Sequence, residues 1–223
     1  MQRALISLLL LLSASAPCRA AEQGVVSVDV WCELEPMIQE SSDYPLSDDE
    51  ARQRILEEAR GLLSMMIYGA RFSYTPADSA RQMDEQFQIS PVAEIQWGDP
   101  ALRITDAYLQ EGVLHAKIEY SLRDFQEARR RAWGSAAVPA ATGAGECSVF
   151  AGPSPEDKRL SLQEALKDAI RNHLRPIHFN KPREVTGELL IWEKPRVLIQ
   201  AGAYVTEVDV KLQVREYRPY SLF

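Results

Sequence analysis

Two stretches of this chain alternate apolar and polar residues with a period of two, and no other pattern constrains the fold as strongly. Leu114, Ala116, Ile118, Tyr120 and Leu122 alternate with His115, Lys117, Glu119 and Ser121. Val208, Val210, Leu212 and Val214 alternate with Asp209, Lys211, Gln213 and Arg215. Such rows are strands with one face in a core and the other in water, the habit of antiparallel sheets. Val26, Val28 and Val30 repeat the pattern and make Val25 to Leu34 a first strand.

Helical periodicity occupies two other segments. Ser47 and Glu50 form a capping box, Asp48 and Asp49 add favourable charge to the first turn, and Ala51, Ile55, Ala59, Leu62, Leu63 and Met66 line one face up to Gly69. Ser161 and Glu164 form a second box before a stripe of Leu162, Ala165, Leu166, Ala169, Ile170, His173 and Leu174 that Pro176 stops. Arg71 to Thr75 reads as extended, Asp78 to Gln88 as a short polar helix, and Arg123 to Trp133 as helical. Pro91 to Leu122 is strand-rich with a turn at Glu111-Gly112. Further strands fall at 185–192, 196–204 and 206–217. Gly134 to Pro155, rich in Ala, Gly and Pro, reads as a long mobile loop.

The pattern suggests duplication. Trp97 and Pro100 stand three apart, as do Trp192 and Pro195, and Leu102 and Ile104 map onto Val197 and Ile199 at the same offset. The expected fold is therefore α+β, with two related units of one helix and a three-stranded antiparallel meander (αβββ) packed as one body. The units fall at 21–133 and 161–223, with the loop at 134–160 between them.

The N-terminus reads as a leader. Met1 to Arg3 carry one positive charge, Ala4 to Leu12 are apolar except for Ser7, and Ser13 to Ala21 are mostly small. This is the order of a secretory signal peptide, here residues 1–20, and its apolar run falls far short of the roughly 20 residues that span a bilayer. The expected address is periplasmic or secreted. A lipid anchor on Cys18 is less favoured because Pro17 precedes it. Losing Arg3 and Arg19 with the leader takes the net charge from −7 to −9, and no basic nucleic-acid footprint remains. It also leaves Cys32 and Cys147, which in an oxidising compartment are expected to pair, closing a loop worth about 4–5 kcal/mol in the chain-entropy model.

No motif imposes a chemistry. Phosphate loops, H-E-x-x-H, G-x-S-x-G and EF-hand patterns are all lacking. His173 and His178 straddle Pro176 and cannot share a helix face, so neither metal nor cofactor is expected. Cys147, after Gly143 and Gly145, could serve as the nucleophile of a thiol-dependent hydrolase with His173 or His178 as base, but the disulfide uses the same residue with fewer assumptions. Arg129, Arg130 and Arg131 form the only basic run and are the candidate contact for an anionic surface or an acidic partner. Trp97 and Trp192 read as core or corner anchors.

Met66-Ile67-Tyr68-Gly69 followed by Trp97-Gly98-Asp99-Pro100 resembles uncharacterised exported proteins of spirochaetes over much of residues 47–217. The resemblance implies a periplasmic address and no assigned activity. The sequence thus points to binding or scaffolding of a protein or other cell-envelope component, with the thiol hydrolase and a small-ligand-binding module as alternatives.

Overall fold

The computed structural model describes residues 24–36, 44–149, 154–177 and 181–220. The expected leader at 1–20, Cys18 and His178 lie outside them.

The alternating rows form strands as expected. β1 (Val25–Glu33) and β4 (Leu102–Gln110) flank β5 (Val113–Ser121) in a three-stranded antiparallel sheet. The second sheet is six-stranded, antiparallel and curled into a half-barrel. It contains β2 (Ala70–Thr75), β3 (Gln86–Pro91), β6 (Ala140–Ser148), β7 (Glu184–Ile191), β8 (Arg196–Gln200) and β9 (Ala203–Arg218). The path runs β3-β2-β7-β9-β6, and β8 pairs with β9. Three α-helices complete the described residues: α1 (Asp48–Ile67), α2 (Asp124–Trp133) and α3 (Pro155–Leu174). The valines of β1, Ile118 and Tyr120 of β5, the apolar stripes of α1 and α3, and Leu189 and Leu212 share one core.

The Ser47 box caps α1 as read, and Gly69 follows the helix at φ +78°, where a Cβ would stand 2.6 Å from the Leu189 carbonyl oxygen. The second box is misplaced in the sequence reading. α3 starts at Pro155, capped by Ser154 with Asp157 reaching back, because Ser-Pro-Glu-Asp supplies a cap and a proline at the first helical position. Ser161 instead lies inside the helix, fully buried, with its hydroxyl 2.6 Å from that of Thr206 on β9. The short polar helix expected over 78–88 shrinks to a 3-10 turn at Ser79–Arg81 before β3.

The stretch 134–160 is not a loop throughout. Residues 140–148 are β6, and they pack on α3 almost backbone to backbone. A Cβ on Gly143 would stand 2.2 Å from the Ala165 carbonyl oxygen, and one on Gly145 would stand 2.2 Å from the Ser161 carbonyl oxygen. Gly143 and Gly145, two apart on a strand, face Ser161, Ala165 and Ala169, four apart on a helix. Glycine here is a packing residue and not a sign of mobility.

The two meanders also differ from expectation. Lys211 of β9 faces Ala140 of β6 on one side and Leu190 of β7 on the other, so β6 and β7 take opposite edges. β8 pairs with the same residues of β9 that β6 uses and therefore lies on the β7 side. β7, the Trp192–Pro195 corner and β8 are one broken arm opposite β9, held at the break by Trp192 N–H donating to the Asp209 carbonyl at 2.8 Å. Proline at 195 supplies no amide, which breaks the arm there. In the first half, β2 and β3 join the second sheet instead of β4 and β5.

A polar knot ties β2 to α3. Glu85 accepts from Tyr74 Oη at 2.9 Å and from Arg171 Nε at 2.9 Å, and Lys167 Nζ lies at 3.3 Å. Burial alone would raise the Glu85 carboxyl, but the hydrogen bonds from Arg171, Tyr74 and Lys167 outweigh it and hold the group at about 2, below its ordinary 4.5. The knot's contribution is complete above pH 4.5 and is lost as pH falls toward 2. Glu85→Gln should cost on the order of 2 kcal/mol at neutral pH and flatten the acid limb of a stability–pH curve in that window, as read by urea denaturation. By the same measurement, Gly143→Ala should cost about 3 kcal/mol, whereas Gly61→Ala, which meets nothing within 4 Å on the exposed side of α1, should gain up to about 1 kcal/mol.

Candidate functional site

α1 packs on β1 and β5, and β4 projects beyond the helix. Nearly every residue of β4 is exposed, although half of its side chains are apolar. The cause lies in the strand's register. A bulge at Thr105 shifts the alternation, so that Leu102 and Ile104 before it, and Ala107 and Leu109 after it, share the sheet face that looks toward α1. Their partners on β5 are Tyr120, Ile118, Ala116 and Leu114. Ile118 and Tyr120 are covered by the core, whereas Ile104 and Leu109 are 43% and 61% exposed.

The result is an apolar groove of about 240 Å³ between the β4–β5 hairpin and the first turns of α1. Leu34, Ile55, Ala107, Leu109 and Leu114 line it, and Asp48 and Arg52 stand at its rim. The volume falls below the roughly 300–1,000 Å³ of ordinary small-molecule pockets. β4 and the outer flank of β5 make a strip about 10 Å wide, which matches the diameter of one helix. Tyr108, on the opposite face, stacks on His115 at 5.0 Å.

A second cluster joins both helices. The Lys158 ammonium lies 3.7 Å from the centre of the Trp31 ring and 5.9 Å from that of Tyr204, donates to the Trp31 carbonyl, and donates to Glu58 Oε2 at 3.3 Å. Burial raises the Glu58, Glu33 and Cys32 groups, and Lys158 opposes the rise in all three. Lys158 spends its donors and its charge inside the cluster, which makes the cluster a strut between α1 and α3.

The residues singled out by sequence fall apart. Cys32 and Cys147 are free thiols, so the expected disulfide is not formed. Cys32 sits on β1 beside the Lys158 cluster, while Cys147 sits on β6 with Sγ 3.7 Å from Asp157 Oδ1. Burial first, then the Asp157 carboxylate, raises the Cys147 thiol, and Glu164 and Glu156 add to the rise. An acidic surround of this kind disfavours the thiolate that a hydrolase nucleophile needs. The arginine run does not present one basic patch. Arg129 donates to the Tyr68 carbonyl at 2.7 Å, and Arg130 donates to Met66 and Trp192 carbonyls and covers the Trp192 ring at 4.9 Å. Both cap the C-terminal end of α1, and only Arg131 is exposed. Trp192 is half-buried against Leu190 and Trp133, but Trp97 is 59% exposed and is not a core anchor.

Among the described residues, no three His, Cys, Asp or Glu side chains are grouped to hold a metal ion. No described helix is long and apolar enough to cross a membrane. The β4 strip escaped sequence reading because Leu102 and Ile104 look like any half-buried strand. The break in parity between Ile104 and Ala107 was the available signal.

A protein-family model matches residues 13–220. An uncharacterised protein of Treponema pallidum (strain Nichols) is 26% identical over 204 residues, covering 89% of this chain and 83% of the relative. No solved structure matches.

With both thiols held protonated, iodoacetamide at neutral pH should alkylate Cys32 and Cys147 more slowly than free cysteine, with rates rising only in alkaline solution. A rapid reaction of Cys147 near pH 7 would contradict this.

Proposed function

We propose that this chain, which belongs to the family matched over residues 13–220, is an exported cell-envelope protein that works by binding, with an amphipathic helix of a partner protein lying on the β4 strip. The observation that carries the reading is the uncovered row of Ile104, Ala107 and Leu109 beside α1. α1 already shows how a helix sits on this sheet, and the remaining strip is one helix wide. Charge gives the partner a direction. The first turn of α1 carries Asp48, Asp49 and Glu50, so a helix running antiparallel to α1 would place its basic C-terminal end beside them. Export rests on the leader pattern of residues 1–20.

Descent from a duplicated unit belongs to the same proposal. α1 and α3 each have 20 residues. β1-β5-β4 and β6-β9-β8 share one pairing order, and both terminal hairpins turn through two residues with positive φ, Glu111-Gly112 and Ala201-Gly202. Counted from those turns, Val197 and Ile199 on β8 stand where Ala107 and Leu109 stand on β4, again on the third and outer strand.

A photo-reactive residue at position 109 or 131 of the full chain, irradiated in the producing organism, tests the reading. Adducts from 109 should map to an amphipathic helical segment of another protein and should disappear with Ile104→Lys. Adducts from 131 that equal those from 109, or none from 109, would contradict it.

A further inference from the structure

The outer face of the second sheet carries an inference separate from the β4 strip. Ser90 of β3, Arg71 of β2, Glu188 of β7 and Gln213 of β9 lie side by side there, in one row across four strands. Their chain neighbours Phe72, Leu189 and Leu212 point the other way, into the core. Glu188 is the buried member of the row, its side chain only 9% exposed. Three arginines from three elements meet on it. Arg215 Nη2 stands 2.9 Å and Arg71 Nε 3.6 Å from Oε1, and Arg129 Nη2 of α2 stands 4.0 Å from Oε2. The bulge between Thr186 and Gly187 leaves Arg215 without a partner on β7 and sets its guanidinium beside Glu188.

A buried carboxylate needs compensation, but one guanidinium supplies it. In the Glu85 knot the charges balance, because Lys167 also pairs with Glu164 and leaves two positive groups against two negative. At Glu188 three positive groups meet one negative. The surplus survives a wider count. The same face of β2, β3, β7 and the part of β9 that pairs with β7 also carries Lys211, Arg218, Glu184 and Glu216. With Arg129 included, five positive groups then face three negative, and Arg218 occupies both Glu184 and Glu216. Glu127, two residues before Arg129, turns away to accept from Gly24 N–H.

Arg129 spends donors on the Tyr68 carbonyl. Arg71 and Arg215 do not. Their side chains are 68% and 65% exposed, and among the described residues Glu188 is the one acid that either touches. Two guanidinium forks fixed by a buried anchor and open to water form an anion-binding arrangement. It stands out locally in a chain whose net charge is −7. The surplus of positive charge selects the anion. A phosphate monoester carries about −1.5 to −2 near pH 7, whereas a carboxylate carries a single charge.

We infer that Arg71 and Arg215, anchored by Glu188, bind a phosphate monoester, with Ser90 and Gln213 beside them as neutral hydrogen-bonding groups. The ester group can belong to a soluble molecule or to a lipid headgroup, and the same two arginines would hold either.

The test follows the arginine Nε–Hε signals of the mature chain by NMR as sodium phosphate is added at constant ionic strength. The signals of Arg71 and Arg215 should shift and saturate, while that of Arg131, which is exposed on α2 away from Glu188, should stay in place. Acetate should bind at least tenfold more weakly than phosphate. Arg71→Gln and Arg215→Gln should each weaken phosphate binding roughly tenfold, and Arg131→Gln should leave it unchanged. Both replaced side chains are largely exposed, so urea midpoints close to the parent's would separate loss of the site from loss of the fold. Phosphatidylcholine vesicles with and without phosphatidic acid distinguish the sources. Sedimentation with phosphatidic acid that Arg71→Gln abolishes assigns the site to a lipid headgroup; phosphate binding without sedimentation assigns it to a soluble ester. Absence of saturable shifts up to about 10 mM phosphate, equal shifts at Arg131, acetate binding as tight as phosphate, or full binding in both glutamine variants would overturn the proposal.

Discussion

The fold depends on how closely a helix can approach a strand. α3 lies on β6 with no side chain between their backbones, because Gly143 and Gly145 meet Ser161, Ala165 and Ala169. That contact fixes α3 over β6 and β9, and it leaves β8 with Val197 and Ile199 only partly covered. α1 does the corresponding thing over β1 and β5 and leaves β4 bare. A helix about 10 Å across covers two strands and not three, so each third strand keeps an apolar row that its own helix cannot bury. On β4 this row widens into a groove, and the proposed partner helix would complete a layer that the chain itself leaves unfinished.

Much of the charge is spent on holding the helices. Arg129 and Arg130 satisfy carbonyls at the end of α1 that the helix cannot pair internally. Lys158 bridges α1 to β1 and β9 through Glu58 and the faces of Trp31 and Tyr204. Glu85 gathers Tyr74, Lys167 and Arg171. Each of these groups joins elements distant in sequence.

Sequence carried the α+β class, the β1, β5 and β9 rows, the first capping box, the Glu111-Gly112 turn and the core faces of both helices, because each is a local periodicity or a local hydrogen bond. It failed where the decisive contact was distant. Gly143 and Gly145 read as loop residues because nothing local reveals the helix that presses on them. Ser161 satisfied a capping pattern, but a stronger start lay about two turns earlier at Ser154-Pro155. Arg129 to Arg131 look like a surface patch until the carbonyls of Met66 and Tyr68 are placed beside them. The exposed Trp97 and the bare β4 row depend on what does not cover them, which no linear pattern records.

The account turns on the β4 strip being open to solvent in the free protein. Solvent paramagnetic relaxation of methyl groups, measured by NMR on the mature chain with a soluble gadolinium agent, reads this directly. The methyls of Ile104 and Leu109 should relax several-fold faster than those of Ile118 and Ile55, which lie in the core. Equal protection across all four would mean that the strip is already covered, and the proposed partner helix would have nowhere to lie.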